Sequence, residues 1–141
     1  MLIKKKHVEG GCYFRHLLSY VKQKHKENIL FLTYEQMKED TAGAIRKVAE
    51  FLGGQYLENV NKDGVLTKVL DNSSISFMKK VINPFVMRAF GSTKFIRKGV
   101  IGDYKTLFSQ EQEKRLSDKF RQTCNDSEAI DLWRKYGIPI E

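Results

Sequence analysis

The sequence predicts a helix-rich α/β fold, and three observations lead to that expectation. Apolar residues recur at helical spacing in several segments, one short segment is apolar on both faces, and helix-like and strand-like segments follow one another along the chain. With 141 residues, 41% hydrophobic and 30% charged, the chain is long enough for one modest domain with one core. Residues 1–141 are therefore predicted to form a single domain.

A first helix is predicted over residues 12–25, because apolar residues occupy the i, i+3, i+4 and i+7 positions of one face. These residues are Phe14, Leu17, Leu18 and Val21. Residues 29–34 come next and are apolar on both faces. That pattern is typical of a buried parallel strand, although a short buried helix has the same pattern.

Another helix is predicted after Asp40 or Thr41, either of which can cap its first turn, and Gly53 with Gly54 can end it. Its apolar stripe comprises Ile45, Val48, Ala49 and Leu52. A weaker apolar pattern at residues 65–70 indicates a further helix. A turn is predicted at Asn83-Pro84, because the residue before a proline avoids the α region.

Near the C-terminus, Ser109 and Gln112 have the spacing of a capping box for a helix that reaches about Cys124. A last helix is expected to start at Asp126 or Ser127 and to end at Gly137, since Pro139 prevents its continuation. One strand among many helices is what half of a helix-covered parallel sheet would contain.

Composition argues against several classes of protein. The longest unbroken aliphatic and aromatic run, residues 29–32, is too short to cross a bilayer, and the first residues lack the apolar region of a signal peptide. Cys12 and Cys124 lie far apart, and the three histidines are nine residues apart, so no metal site is predicted. Free thiols and a cytoplasmic location are expected.

The strongest chemical signal is the segment 95–105, which reads F-I-R-K-G-V-I-G-D-Y-K. Arg97 offers a planar fork of donors and Lys98 a compact charge, while Gly99 and Gly102 allow backbone N–H groups to approach an anion. Between residues 79 and 105, seven basic residues accompany a single acidic one. The segment therefore indicates a phosphate-binding loop, although a solvated basic loop with a glycine turn has the same composition.

This segment resembles the R-K-G-x-x-G-D-W-K signature of the cytosolic sulfotransferases, with Tyr104 at the usual tryptophan position. In that family the Arg-Lys-Gly triplet holds the 3'-phosphate of the donor 3'-phosphoadenosine 5'-phosphosulfate, PAPS. The resemblance implies that the donor-binding residues of this segment are Phe95, Ile96, Arg97, Lys98 and Gly99.

Two further segments resemble the family in the same order. Residues 28–40, N-I-L-F-L-T-Y-E-Q-M-K-E-D, are similar to V-L-F-L-x-Y-E-x-M-K-x-D, which implies that Tyr34 lies near the adenine. Residues 73–79, S-S-I-S-F-M-K, resemble S-S-F-x-x-M-K, with Ile75 where the family has an aromatic ring. The nucleoside pocket would then be lined by Ser73, Ser74, Ile75 and Met78.

The resemblance implies part of a three-layer, helix-covered parallel sheet of the P-loop-like sulfotransferase type. It also implies sulfuryl transfer from PAPS to a hydroxyl or amine of a small-molecule acceptor, with release of adenosine 3',5'-bisphosphate and no metal. No segment resembles the P-K-S-G-T-T-W phosphosulfate loop, the K-x-H-L-P segment with its general base, or the R-N-x-x-D-x-x-x-S segment. The chain is therefore expected to be a C-terminal half-domain without catalytic residues, inactive when isolated.

The dimer motif of the family, K-x-x-x-T-V-x-x-x-E, agrees with residues 105–114 only at Lys105, so dimerisation by that route is not expected. The alternative to an enzyme is a non-enzymatic basic module that binds nucleotides or nucleic acid, which a pI near 9.5 allows. The sequence lacks helix-turn-helix, RNP and zinc-finger patterns, so neither nucleic acid nor a membrane is predicted as a partner.

Overall fold

A computed structural model describes residues 11–91, 95–125 and 127–137. Within those ranges the chain forms seven α-helices and three short 3-10 helices. The α-helices are α1 (Tyr13–Val21), α2 (Tyr34–Glu39), α3 (Thr41–Leu52), α4 (Gly54–Val60), α5 (Val65–Ser73), α6 (Ile75–Phe90) and α7 (Gln110–Cys124). The 3-10 helices are Asp103–Thr106, Glu128–Asp131 and Arg134–Tyr136.

The chain divides into two compact units. The first, here called the terminal unit, comprises the described residues among 1–33 and 102–141. Its core forms where α1 packs against α7 and where both contact the 3-10 helix Glu128–Asp131. The buried residues of this core are Leu17, Val21, Phe120, Cys124 and Ala129.

Aromatic rings extend the core of the terminal unit. The ring centroid of Phe120 lies 5.4 Å from that of Phe14 and 6.1 Å from that of Trp133, both in edge-on geometry. Edge-on pairs are a favourable arrangement because the positive ring edge meets the negative ring face. Through these two ring contacts, Phe120 links α7 to α1 and to Trp133, which directly precedes the 3-10 helix Arg134–Tyr136.

The second unit, here called the central unit, is Tyr34–Ile101. In it α3 packs against α2, α4 and α5, and α5 packs against α6. The buried apolar residues described in this unit are small ones, namely Ala44, Ala49 and Val60. Whether the whole chain forms one domain stays a prediction.

Several predicted helices are confirmed, because local capping chemistry determines their ends. The Asp40 carboxylate accepts a hydrogen bond from the Gly43 N–H at 2.8 Å and starts α3, which ends at Gly53 with a φ of 68°. In α7, the Ser109 hydroxyl accepts from the Gln112 N–H, while the Gln112 side chain accepts from the Ser109 N–H. This is the predicted capping box.

The predicted strand at residues 29–34 is wrong. Residues 29–33 have no regular secondary structure, and Tyr34 begins α2. A strand needs a neighbouring strand to satisfy its backbone N–H and C=O groups, and the described residues contain no other strand. The apolar character of the run indicates burial, and Phe31 does pack against the core of the terminal unit.

Two other local predictions are also wrong. Asn83 and Pro84 lie inside α6 and form no turn, since a proline removes a single helical hydrogen bond and this helix continues through it. The last helix is replaced by two 3-10 turns, with Ser127 as the N-cap of the first and Gly137 as the C-cap of the second. Pro139 lies outside the described residues.

Both cysteines are free thiols, as predicted. Cys12 is half-buried at the N-cap of α1, where the backbone N–H of Arg15 is the main cause of a lowered thiol pKa. Cys124 is 1% exposed, and burial raises the pKa of its thiol.

Across the part of the chain that the structure describes, no helix has the length and hydropathy that a transmembrane span requires.

Candidate functional site

The loop that contains the Arg-Lys-Gly triplet is anchored to the middle of α6 by one side chain. The Ile96 N–H donates to Asn83 Oδ1 at 2.7 Å, and Asn83 Nδ2 donates to the Ile96 carbonyl at 3.0 Å. Both backbone polar groups of one residue are thereby satisfied by a single carboxamide. The backbone immediately before Arg97 is fixed relative to α6.

The same loop is anchored to the start of α6 by Gly99. This glycine has a φ of 66°, and a Cβ added to it would overlap Ile75 Cδ1 and lie 2.6 Å from Ile75 Cγ1. Only a residue without a side chain fits such a close approach at a positive φ. The backbone of the triplet therefore rests on the first residue of α6.

Between these two anchors lie Arg97 and Lys98, whose side chains are exposed. Each also takes part in at least one polar or electrostatic interaction within the protein. Their charges are adjacent in the chain and project from a backbone that Asn83 and Ile75 hold. Such an arrangement suits recognition of a phosphate, which accepts a forked hydrogen bond from arginine and attracts the lysine charge.

The serines at the α5–α6 junction serve the local helix ends. The Ser73 hydroxyl donates to the Leu70 carbonyl at 3.2 Å, and the Ser74 hydroxyl accepts from the Phe77 N–H at 3.2 Å as the N-cap of α6. Ser74 also shares a 3.1 Å hydrogen bond with the Ser76 hydroxyl. Their contact with a nucleoside stays a prediction.

The structure brings residues 73–78 and 95–99 together through Ile75 and Gly99. Met78 is half-buried one turn into α6, and Phe95 is 68% exposed. Tyr34 lies at the first position of α2, a helix that packs against α3, and it is 44% exposed. Its place near an adenine stays a prediction.

Further positive charge lies on α6 itself. Lys79, Lys80 and Arg88 are exposed along this helix. Lys94, which the sequence places in the same basic segment, lies outside the described residues. No group of three histidine, cysteine or acidic side chains suited to a metal occurs among residues 11–91, 95–125 and 127–137.

Sequence reasoning missed Asn83. Its position before a proline indicates a turn, and nothing in the sequence relates it to a backbone group thirteen residues later. By contrast, the sequence singles out Gly99 for the approach of its backbone to an anion, and that role stays a prediction. The close contact of Gly99 with Ile75 is an additional feature that only the structure shows.

The described chain is helix-rich, and its exposed basic loop carries Arg97 and Lys98 on a backbone that α6 holds on both sides of the pair. A family model described as the sulfotransferase domain matches residues 2–128. The chain belongs to the sulfotransferase family.

Curated relatives agree with this assignment. Sulfotransferase 1B1 of Canis lupus familiaris is 35% identical over 115 residues, which cover 77% of this chain and 37% of the relative. Sulfotransferase 1C2 of Homo sapiens is 33% identical over 123 residues, with coverage of 82% and 39%. The chain therefore spans little more than a third of the length of these relatives.

A solved structure shows the same fold. Mouse sulfotransferase SULT7A1, determined in a complex with PAP, matches 96% of this chain and 49% of its own chain with a TM-score of 0.76 and 28% identity. The predicted fold class, a helix-rich part of a sulfotransferase fold, is confirmed.

Proposed function

We propose that this chain holds the nucleotide end of the donor site in a sulfotransferase that moves a sulfuryl group from PAPS to a hydroxyl or amine of a small molecule. The observation that carries the proposal is the close contact of the Gly99 backbone with Ile75, which holds the chain directly after Arg97 and Lys98. The PAP complex of the mouse relative supports the choice of ligand.

The residues of the loop fit a 3'-phosphate. Arg97 offers a fork of N–H donors, Lys98 offers a point charge, and the Gly99 backbone lies where a side chain would block close approach. Charge-assisted hydrogen bonds of this kind are roughly twice as strong as neutral ones. We therefore assign the 3'-phosphate to Arg97, Lys98 and Gly99, with Phe95 and Ile96 leading into the site.

The neighbouring residues would hold the nucleoside. We assign this part of the donor to Tyr34, Ser73, Ser74, Ile75 and Met78. Because Ile75 is aliphatic and its side chain already supports Gly99, it offers an apolar surface and no stacking ring.

When bound, PAPS supplies an activated sulfuryl group at its 5' end. The contribution of this chain is positional: fixing the nucleotide fixes the direction in which that end points, and orientation of a reactant accounts for a large part of many rate enhancements. We assign no catalytic residue to these 141 residues, because no segment resembles the phosphosulfate loop or supplies the general base. The isolated chain is then a nucleotide binder without turnover.

The test is a titration of the chain with adenosine 3',5'-bisphosphate and with adenosine 5'-monophosphate by calorimetry. Since only the first ligand has a 3'-phosphate, it should bind about tenfold more tightly, the equivalent of one charge-assisted hydrogen bond. Arg97→Ala should abolish that preference. Incubation with PAPS and a panel of phenols, alcohols and amines should give no product above background.

The matched control is Arg88→Ala, which removes a charge of the same basic segment outside the triplet. The preference should survive this change. If both variants lose binding equally, or if duplex DNA competes as well as the bisphosphate, the basic segment is a general polyanion surface, and the non-enzymatic alternative is favoured.

A further inference from the structure

We infer that Asn83 is the positioning residue of the 3'-phosphate loop: its carboxamide holds the backbone N–H and C=O of Ile96 and so sets the direction in which the Arg97 side chain leaves the backbone. This inference rests on the proposed function and adds to it a residue that is expected to touch no ligand. The evidence is geometric and lies wholly within the central unit.

The two hydrogen bonds act as a pair. A carboxamide that accepts from an N–H at 2.7 Å and donates to the carbonyl of the same residue at 3.0 Å imitates one rung of a β-ladder. A single bond would let the loop pivot about it, whereas two bonds to one residue fix both the position and the rotation of the backbone. Because Ile96 immediately precedes Arg97, the backbone orientation at Ile96 sets the direction in which the Arg97 side chain starts.

The two hydrogen bonds of Asn83 to Ile96 are called the clamp here, and the contact of Gly99 with Ile75 is called the glycine seat. They hold the backbone on opposite sides of Arg97 and Lys98. Asn83 lies two turns along α6 from Ile75, and the two residues hold Ile96 and Gly99 respectively. Arg97 and Lys98 lie between these supports. A short loop held at both ends is preorganised, so less conformational entropy is lost when a phosphate binds.

Helix stability does not account for an asparagine at this position. Asparagine is a poorer helix former than leucine, and Pro84 directly after it already removes one helical hydrogen bond. The half-buried side chain is used for a contact thirteen residues away. Replacement by leucine, similar in size and better in a helix, therefore removes the clamp without weakening α6.

The test compares Asn83→Leu with the parent chain in two measurements. In titrations, the roughly tenfold preference for adenosine 3',5'-bisphosphate over adenosine 5'-monophosphate should largely disappear, while affinity for the monophosphate changes little. In amide hydrogen exchange followed by NMR, the Ile96 N–H should be protected in the parent and exchange much faster in the variant. Asn83→Gln, which retains the carboxamide, should recover part of the ligand preference and part of the Ile96 N–H protection.

Asn72→Leu is the matched control, since Asn72 is an exposed asparagine on α5 of the same unit. It should leave the ligand preference and the Ile96 exchange rate unchanged. If Asn83→Leu keeps the parent's preference, or if Ile96 is unprotected in the parent, the positioning role is wrong while the donor site stands. If the parent shows no preference at all, the proposed function and this inference both fail. Should Asn83→Leu fail to fold, the exchange rate in the parent and the Asn83→Gln titration decide the question.

Discussion

The two units of this chain differ in what they bury. The terminal unit encloses large side chains, with Phe120 5% exposed and packed between two other aromatic rings. The central unit buries two alanines and a valine among its described apolar residues and leaves large ones exposed. These exposed side chains include Phe51, Leu52, Tyr56, Phe77, Val81 and Phe85.

The difference indicates where the apolar stabilisation of the chain comes from. Burial of a large apolar side chain contributes about 1.5 to 3 kcal/mol, so the terminal unit has the stronger apolar driving force for folding. The central unit contains the loop of Arg97 and Lys98, whose backbone is held by the hydrogen bonds of Asn83 and by the contact of Gly99 with Ile75. Exposed apolar faces also favour self-association, so we expect copies of the isolated chain to associate through this unit.

Phe120→Ala should have the largest effect, because it removes a ring from the centre of the terminal unit. The expected loss is about 3 to 5 kcal/mol in the free energy of unfolding, the usual result for a buried phenylalanine. Denaturant titration followed by fluorescence measures it, since Trp133 is the single tryptophan of the chain and packs against Phe120.

Phe85→Ala is the counterpart in the central unit, where Phe85 is 67% exposed. It should change stability by no more than about 0.5 kcal/mol. If Phe120→Ala and Phe85→Ala lowered the free energy of unfolding equally, the two units would not differ in burial in solution.

Gly99→Ala should have the next largest effect, of about 2 to 4 kcal/mol, because the new Cβ meets Ile75 and the backbone has a positive φ. Loss of the 3'-phosphate preference should accompany it. Gly64→Ala is the control, since Gly64 has a φ of 73° with open space around it and adds only the backbone strain, about 1 kcal/mol. If the two variants are equally stable, the contact with Ile75 does not hold the loop at position 99.

Glu128→Gln should have the smallest effect, since Glu128 is exposed and forms its ion pair with Lys24 at the surface, where solvent screens the charges. Lys24 lowers the pKa of Glu128 from its usual 4.5. A lowered folded-state pKa stabilises the protein above the unfolded value, and this contribution disappears as the pH falls through the folded value.

The melting midpoint of Glu128→Gln should therefore lie slightly below that of the parent at about pH 7, and the difference should shrink as the pH falls below 4.5. Glu27→Gln, at another exposed acid of the terminal unit, serves as the control and should show no such convergence. A difference between Glu128→Gln and the parent that persists in acid would rule out the ion pair as its source.

The sequence predicts those features that local chemistry determines. Asp40, Ser109 and Gln112 cap helices through groups within three residues of one another, so their roles follow from spacing alone. The prediction of a strand at residues 29–34 was wrong because a strand depends on partner strands elsewhere in the chain. Apolar character indicates burial but does not specify the backbone conformation. The Asn83 clamp is equally invisible in the sequence, since it joins residues that only tertiary structure brings together.

The contrast between the two thiols makes the terminal unit a natural place for a reporter dye. At neutral pH the lowered pKa of Cys12 increases its thiolate fraction, and the thiolate is the form that attacks a maleimide or an iodoacetamide. Cys124 is shielded until the core opens. A single fluorophore can therefore be attached at the start of α1 without mutagenesis. Slower labelling of Cys124 would then report how often that core opens, while the loop of Arg97 and Lys98 is not modified.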